Sequence, residues 1–158
     1  MSVERARKYL SEFGMGDKII TFRESSATVE LAAKAAGTEP ARIAKTLSFE
    51  GKENPILIVT AGDTKIDNAK FKHFFGFKAH MIPFGEVEPQ IGHAPGGVCP
   101  FGVNENVKVY LDISMKRFET MFPAAGEENN AIELKPEELE KYTHNEGWVD
   151  LCKGWQEM

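Results

Sequence analysis

The densest concentration of residue types able to do chemistry lies mid-chain, in Gly92-His93-Ala94-Pro95-Gly96-Gly97-Val98-Cys99-Pro100-Phe101-Gly102. Four glycines and two prolines fall within these eleven residues. Glycine permits positive φ and close backbone approach, and proline fixes φ and removes a donor, so the segment is predicted to be a shaped loop, neither helix nor strand. Gly96 and Gly97 offer two consecutive N–H groups with no Cβ to shield them. Main-chain donors of this kind bind a carbonyl or phosphate oxygen. The same residues also suit a tight turn with no chemical role.

Two side chains in this loop are reactive types. His93 is either a loop-packing group or a pocket residue. Cys99 is either an inert thiol or a nucleophile, and a nucleophile needs a lowered pKa, for which His93 is the nearest source in sequence. Cys152 reads as core. Elsewhere, Lys45 is flanked by Ile43, Ala44, Thr46 and Leu47. A lysine there either snorkels to solvent or presents its ammonium to an anion. Residues 62–68 are rich in turn and capping types, with Asp67 as a helix cap and Lys65 as an alternative phosphate contact. Residues 125–130 form either a solvated hairpin tip or a second pocket wall.

The sequence has no Gly-x-Ser-x-Gly elbow, no His-Glu-x-x-His and no phosphate-binding Walker loop. Histidines 73, 80, 93 and 144 lack metal-ligand spacing, and two cysteines are too few for a thiolate zinc cage or a disulfide scaffold. No metal and no cofactor are therefore expected. The net charge of −5 opposes broad nucleic-acid binding, DNA included, while leaving room for a local site for one RNA end. The charged N-terminus has no apolar signal core, and no run approaches a membrane span. Low cysteine usage suits a reducing cytoplasm. At 158 residues the chain is expected to be one domain, residues 1–158.

The elements that must position these groups are short. Apolar residues at three- and four-residue spacing predict a helix over residues 2–13, opened by Ser2 and ended by Gly14 and Gly16. A strand over residues 19–22 is followed by a helix capped by Ser26 and stopped by Gly37. A third, short helix is expected from Pro40 up to Lys45, then a strand over residues 46–49. Residues 55–61 are nearly all apolar and read as a central strand. Asp67 caps a helix ending at Gly76. Further strands are expected at residues 79–82, 107–111, 119–124 and 131–134. Short helices are expected at 84–91, at 114–118 with Ser114 as cap, and from Pro136. The strands do not alternate regularly with helices, so a mixed α+β fold is expected rather than a doubly wound one.

Taken together and in order, Lys45-Thr46-Leu47, Val59-Thr60-Ala61-Gly62-Asp63 and the Gly/Pro loop resemble the YbaK/ProX family. These are aminoacyl-tRNA deacylases related to the editing domain of bacterial prolyl-tRNA synthetase. Asp112-Ile113, Ala125-Gly126 and Ile132-Glu133-Leu134 also fit, so the resemblance covers residues 22–139, and its most specific part runs from Gly96 to Pro100. It implies an α+β fold around a strongly curved, barrel-like sheet. It implies hydrolysis, in trans, of the ester joining a small amino acid (cysteine, alanine or proline) to the CCA end of the wrong tRNA, with a synthetase as possible partner. Catalytic positions would be Lys45, Gly96 and Gly97, and substrate-binding positions Phe22, His93, Val98, Cys99, Pro100 and Gly126. The family has no universal protein nucleophile; water, a ribose hydroxyl or the substrate's own side chain attacks. The rival expectations are a noncatalytic module that binds aminoacyl-tRNA or a small amino-acid adduct, and a Cys99 thiol hydrolase.

Overall fold

The computed structural model describes residues 2–22 and 28–155. Its centre is a five-stranded mixed sheet of β2 (Ile43–Phe49), β3 (Ile56–Ala61), β5 (Lys108–Asp112), β6 (Phe122–Pro123) and β8 (Asn145–Val149), in the order β6-β2-β3-β5-β8. β2 and β3 are antiparallel, with Lys45 opposite Thr60. The β2–β6, β3–β5 and β5–β8 pairs are parallel. Two ribbons stand outside this sheet: β1 (Ile20–Thr21) with β7 (Asn130–Ala131), and β4 (Lys65–Ile66) with β9 (Cys152–Lys153).

All six residues of β3 are buried, which explains its continuous apolar run: both faces of the strand are covered. Successive side chains of a strand point to opposite faces. Ile56 and Ile58 accordingly join a cluster with Phe49, Phe71, Phe75 and Val149, under α3 (Asn68–Phe75). Leu57, Val59 and Ala61 join the larger cluster on the other face, with Ala6 and Leu10 of α1 (Ser2–Ser11), Val87 and Ile91 of α4 (Val87–Ile91), and Leu139 of α5 (Pro136–Tyr142). Burying a side chain of this size contributes about 1.5–3 kcal/mol. A third cluster at the β2–β6 edge packs Ile43, Phe122 and Ala131 against Ala33 of α2 (Val29–Ala36).

The mixed α+β architecture is the expected one, and α3 is bounded as predicted. Asp67 accepts from Ala69 N–H and Lys70 N–H, and Gly76 takes the left-handed conformation beyond its last turn. Several local expectations are corrected. The segment from Pro40 is one 3₁₀ turn, residues 40–42, and β2 begins at Ile43, so Lys45 lies inside a strand and not at a helix–strand junction. Asp112, not Ser114, caps the turn over residues 113–117; the Ser114 hydroxyl accepts from Ala61 N–H at 3.2 Å. Asp112 also accepts from Leu151 N–H at 2.8 Å, which ties the sheet to the segment leading into β9. Residues 79–82 make only one bridge, Met81 to Phe49. The pairing near residues 119–134 is reduced to β6, β7 and a bridge between Met121 and Leu134. The C-terminal segment, whose shape the sequence leaves open, supplies β8 and β9. Thr28 caps α2; the expected cap Ser26 and the side chain of Ser2 lie outside the described residues.

Candidate functional site

The Gly/Pro loop leaves α4 at Gly92 (φ 104°) and closes at Gly102 (φ 71°). Its base is pinned from two sides. Arg5 donates to Gly92 O at 3.4 Å and to Asn104 Oδ1 at 2.7 Å, and Asn104 Nδ2 donates to Pro89 O and Gln90 O. Within the loop, residues 95–97 form one 3₁₀ turn in a segment expected to have no helix. The Gly97 N–H closes that turn on Ala94 O at 2.8 Å. The Gly96 N–H heads the turn and, among the described residues, has no protein acceptor. Gly96 is exposed and Gly97 is buried. Of the two amides singled out by sequence, only Gly96's is therefore open to an incoming oxygen.

Gly97 is required for another reason. A Cβ built there would lie 2.1 Å from Gly126 O and 3.1 Å from Glu127 N. The Gly/Pro loop thus rests directly on the backbone of residues 125–130. That second loop is held by buried Asn130, whose amide side chain accepts from Ala125 N–H at 2.9 Å and donates to Ala125 O at 3.1 Å. Gly126 itself has φ 97°.

Between these two loops, α2 and the edge of β2 lies a hollow of about 180 Å³, lined among others by Lys45, Thr46, Gly96, Val98, Phe122 and Glu128. Pockets for drug-sized ligands run to about 300–1,000 Å³, so this one suits a small group. The Lys45 side chain is half-buried, and its ammonium donates to Thr64 O. Burial lowers its pKa from the ordinary lysine value, partly opposed by Cys152 and Asp63. Asp63 is held in turn by Arg117 at 2.6 and 3.0 Å. A Cβ on Gly96 would meet the Glu128 carboxylate at 3.3 Å, which places an acidic group beside the open amide.

The structure brings Lys45, Gly96 and Val98 into the hollow; Phe22, His93, Gly97, Cys99, Pro100 and Gly126 are not part of its lining. Phe22 packs against the cluster of Ile43, Phe122 and Ala131 that backs the wall. Pro100 lines a different hollow, of about 540 Å³, with Tyr9, Gly102 and His144. His93 and Cys99 lie fully buried beneath the loop. His93 Nε2 sits 2.7 Å from Phe101 O and so carries the ring proton, while its Nδ1 has no partner among the described residues. Burial lowers its pKa, which favours the neutral ring. The Cys99 sulfur is 3.6 Å from His93 Nε2 and 3.7 Å from Phe101 O.

Burial pushes the Cys99 thiol up to about 12, opposite to what a nucleophile needs. Cys152 is likewise pushed up to about 12. A thiol that stays protonated in the fold but ionises near 9 when unfolded contributes stability that is complete below pH 9 and lost as pH climbs toward 12. Iodoacetamide at mildly alkaline pH is expected to leave both thiols unmodified in the folded chain and to label both in guanidinium. Rapid labelling of Cys99 in the folded chain would contradict this placement.

Glu128 and Asn130 line the hollow, so residues 125–130 take the second of their two expected forms, a pocket wall; Thr28, Ala32 and Phe122 are lining residues that the sequence does not single out. Among the described residues, no group of three or more His, Cys, Asp or Glu could hold a metal ion, and no helix is long and apolar enough to cross a membrane.

Residues 23–142 match the family model described as aminoacyl-tRNA editing domain. YwhH of Bacillus subtilis (strain 168), a protein of uncharacterized function, is 49% identical over 157 residues, covering 99% of this chain and 100% of its own length. EbsC of Enterococcus faecalis (strain ATCC 700802 / V583), named as a candidate Cys-tRNA(Pro)/Cys-tRNA(Cys) deacylase, is 29% identical over 125 residues, 78% of this chain and 76% of its own. A crystal structure described as a candidate trans-editing enzyme for prolyl tRNA synthetase superposes with a TM-score of 0.87 at 29% identity, covering 97% of this chain and 98% of that one. With its sheet, its paired loops and its small hollow all within a fold of that kind, the chain belongs to the aminoacyl-tRNA editing domain family.

Proposed function

We propose that this chain, acting as one domain in the cytoplasm, removes a wrongly attached small amino acid from tRNA in trans by hydrolysing its ester at the CCA end. The observation that carries this reading is that Lys45 and the open Gly96 amide line one hollow of about 180 Å³. That space favours cysteine, alanine or proline over larger side chains, and a methylene is worth only about 1–3 kcal/mol of discrimination. A synthetase is the candidate partner that would supply tRNA choice.

An aminoacyl ester is already activated, so catalysis needs mainly placement and stabilisation of the developing oxyanion. In this reading the Gly96 N–H, which has no protein acceptor among the described residues, donates to the carbonyl oxygen, and the buried Gly97 closes the turn that carries it. Removing one oxyanion donor typically costs about 10²–10³ in rate. The Lys45 ammonium, on a long side chain, holds the phosphate or terminal adenosine. Water attacks the carbonyl carbon, and its proton passes, directly or through a neighbouring ribose hydroxyl, to the ribose oxygen as the carbon–oxygen bond to the ribose breaks, leaving the free amino acid and the tRNA hydroxyl. With cysteine the substrate's own thiol can attack first, its proton going to the departing ribose oxygen, and water then opens the resulting thiolactone.

The test is a panel of tRNAs charged with cysteine, alanine, proline and larger amino acids, followed by ester loss. Loss is expected with at least one small amino acid and not with the large ones, and it should persist in Cys99→Ala, which removes the thiol-hydrolase alternative. Binding without ester loss on any member would favour a noncatalytic module.

A further inference from the structure

Charge on this chain is unevenly placed. Between Lys65 and His80 stand four lysines and two histidines against one acid, Asp67, in a protein of net charge −5. The fold gathers these residues on one side of the sheet. Lys70 and Lys72 are on α3, Lys78 and His80 follow it, and Lys65 is on β4. Opposite Lys65, in direct register on the antiparallel β4–β9 ribbon, stands Lys153. Directly opposed side chains share a face, and like charges there are destabilising.

Local acids neutralise only part of this face. Asp150 pairs with Lys70 at 2.9 Å, and Asp67, which caps α3, lies within the influence of Lys70 and Lys153. Among the described residues, Lys65, Lys72, Lys78 and Lys153 have no carboxylate at salt-bridge distance. All four are exposed. The face also adjoins the hollow: the Lys45 ammonium donates to Thr64 O, and Lys65 is the next residue along the chain. Half-exposed Phe74 on α3 adds an aromatic to the cations, a composition that suits nucleic acid.

We propose that the lysine face running from the β4–β9 ribbon along α3 binds the phosphodiester backbone of the tRNA acceptor arm while the acylated 3′ end occupies the hollow. This rests on the reading of the chain as a tRNA deacylase. A phosphate shared by Lys65 and Lys153 converts their mutual repulsion into two charge-assisted hydrogen bonds. It also reconciles an acidic protein with a polyanionic substrate, because only this face meets the RNA.

The test measures binding of fluorescein-labelled, uncharged tRNA across a series of KCl concentrations. It compares the wild type, Lys65→Glu/Lys153→Glu, the milder Lys65→Gln/Lys153→Gln, and the charge-matched control Lys8→Glu/Lys141→Glu, whose exposed sites sit on helices of the opposite layer. The ribbon reversal is expected to weaken binding about tenfold or more and to flatten the slope of log K against log salt by about one, for the single phosphate the two lysines share. The glutamine pair should show the same slope change, and the control should bind like the wild type. Unchanged affinity and slope in both ribbon variants, or an equal loss in the control, would overturn the proposal. An amino-acid ester of adenosine, too short to reach the ribbon, separates the two readings. If the ribbon variants lose tRNA binding while no form hydrolyses any ester, the surface stands and the deacylase reading falls. If hydrolysis proceeds with tRNA affinity untouched by the ribbon changes, the deacylase reading stands and the surface falls.

Discussion

Replacing Gly97 with alanine is expected to lower stability by about 1–3 kcal/mol or more and to reduce ester hydrolysis at least ~100-fold. The new methyl would stand 2.1 Å from Gly126 O, far inside contact distance, and the obstruction is backbone rather than a side-chain tip that could swing away. Relief therefore requires the Gly/Pro loop and the loop of residues 125–130 to part. Parting them strains the Asn130 clamp on Ala125 and turns the Gly96 amide away from the hollow. Gly97 does not have a positive φ, so the effect is one of contact and not of backbone conformation. Gly96→Ala is the informative partner. Its methyl would meet only the Glu128 carboxylate, at 3.3 Å, so stability should stay within about 0.5 kcal/mol of the wild type. Urea unfolding of both variants, read beside single-turnover deacylation, checks the contrast. Equal stability of the two would show that the loops do not bear on each other as described.

Replacing Lys45 with alanine is expected to reduce kcat/KM for aminoacyl-tRNA about 10- to 100-fold while leaving the melting temperature close to that of the wild type. Hydrogen bonds to a charged group contribute about 1.5–3 kcal/mol, and each 1.36 kcal/mol is a factor of ten in rate. In the folded chain the ammonium's bond to Thr64 O is offset by the burial that disfavours its charge, so its loss should change stability little. The group's role is thus in the complex. The same burial gives the pH dependence its sign. The folded pKa lies below the ordinary lysine value, so the ammonium is lost, and with it the Lys45-dependent part of the rate, at a lower pH than for a free lysine. Lys45→Arg keeps the charge to higher pH and should move that alkaline limb upward. Rates taken across pH and corrected for spontaneous ester loss check this. Ester loss at the wild-type rate in Lys45→Ala would remove the lysine from the account.

Much of the scaffold was legible because local signals and tertiary packing agree. Asp67 and Gly76 bracket α3 through hydrogen bonds and backbone freedom that act within a few residues, and the apolar run of β3 needs both faces covered wherever it lies. The Gly/Pro loop was legible as a loop for the same reason. What the residues alone could not convey was direction and depth. His93 and Cys99 look reactive in sequence, yet the loop folds them inward under Phe101, where burial holds the ring neutral and the thiol protonated. Gly96 and Gly97 look equivalent, yet one amide closes a turn and the other is open, a difference set by a single backbone bond to Ala94. Lys45 was placed one element too early because Pro40 opens a helical turn that lasts only three residues before β2 starts. Glu128 sits in a polar run that reads equally as a hairpin tip or a pocket wall, and its position beside Gly96 follows only from the contact between the two loops.

The most direct test of the hollow as the substrate site is an amide titration of the isotope-labelled protein with a non-hydrolysable 3′-alanylamido analogue of 3′-deoxyadenosine, followed by nuclear magnetic resonance. The backbone resonances of Gly96, Val98 and Thr46 should move with saturation, Gly97 should move less because its N–H is committed to Ala94 O, and Lys45→Ala should weaken the titration. Shifts confined to the other hollow, around Tyr9, Gly102 and His144, with Gly96 unmoved, would contradict the account.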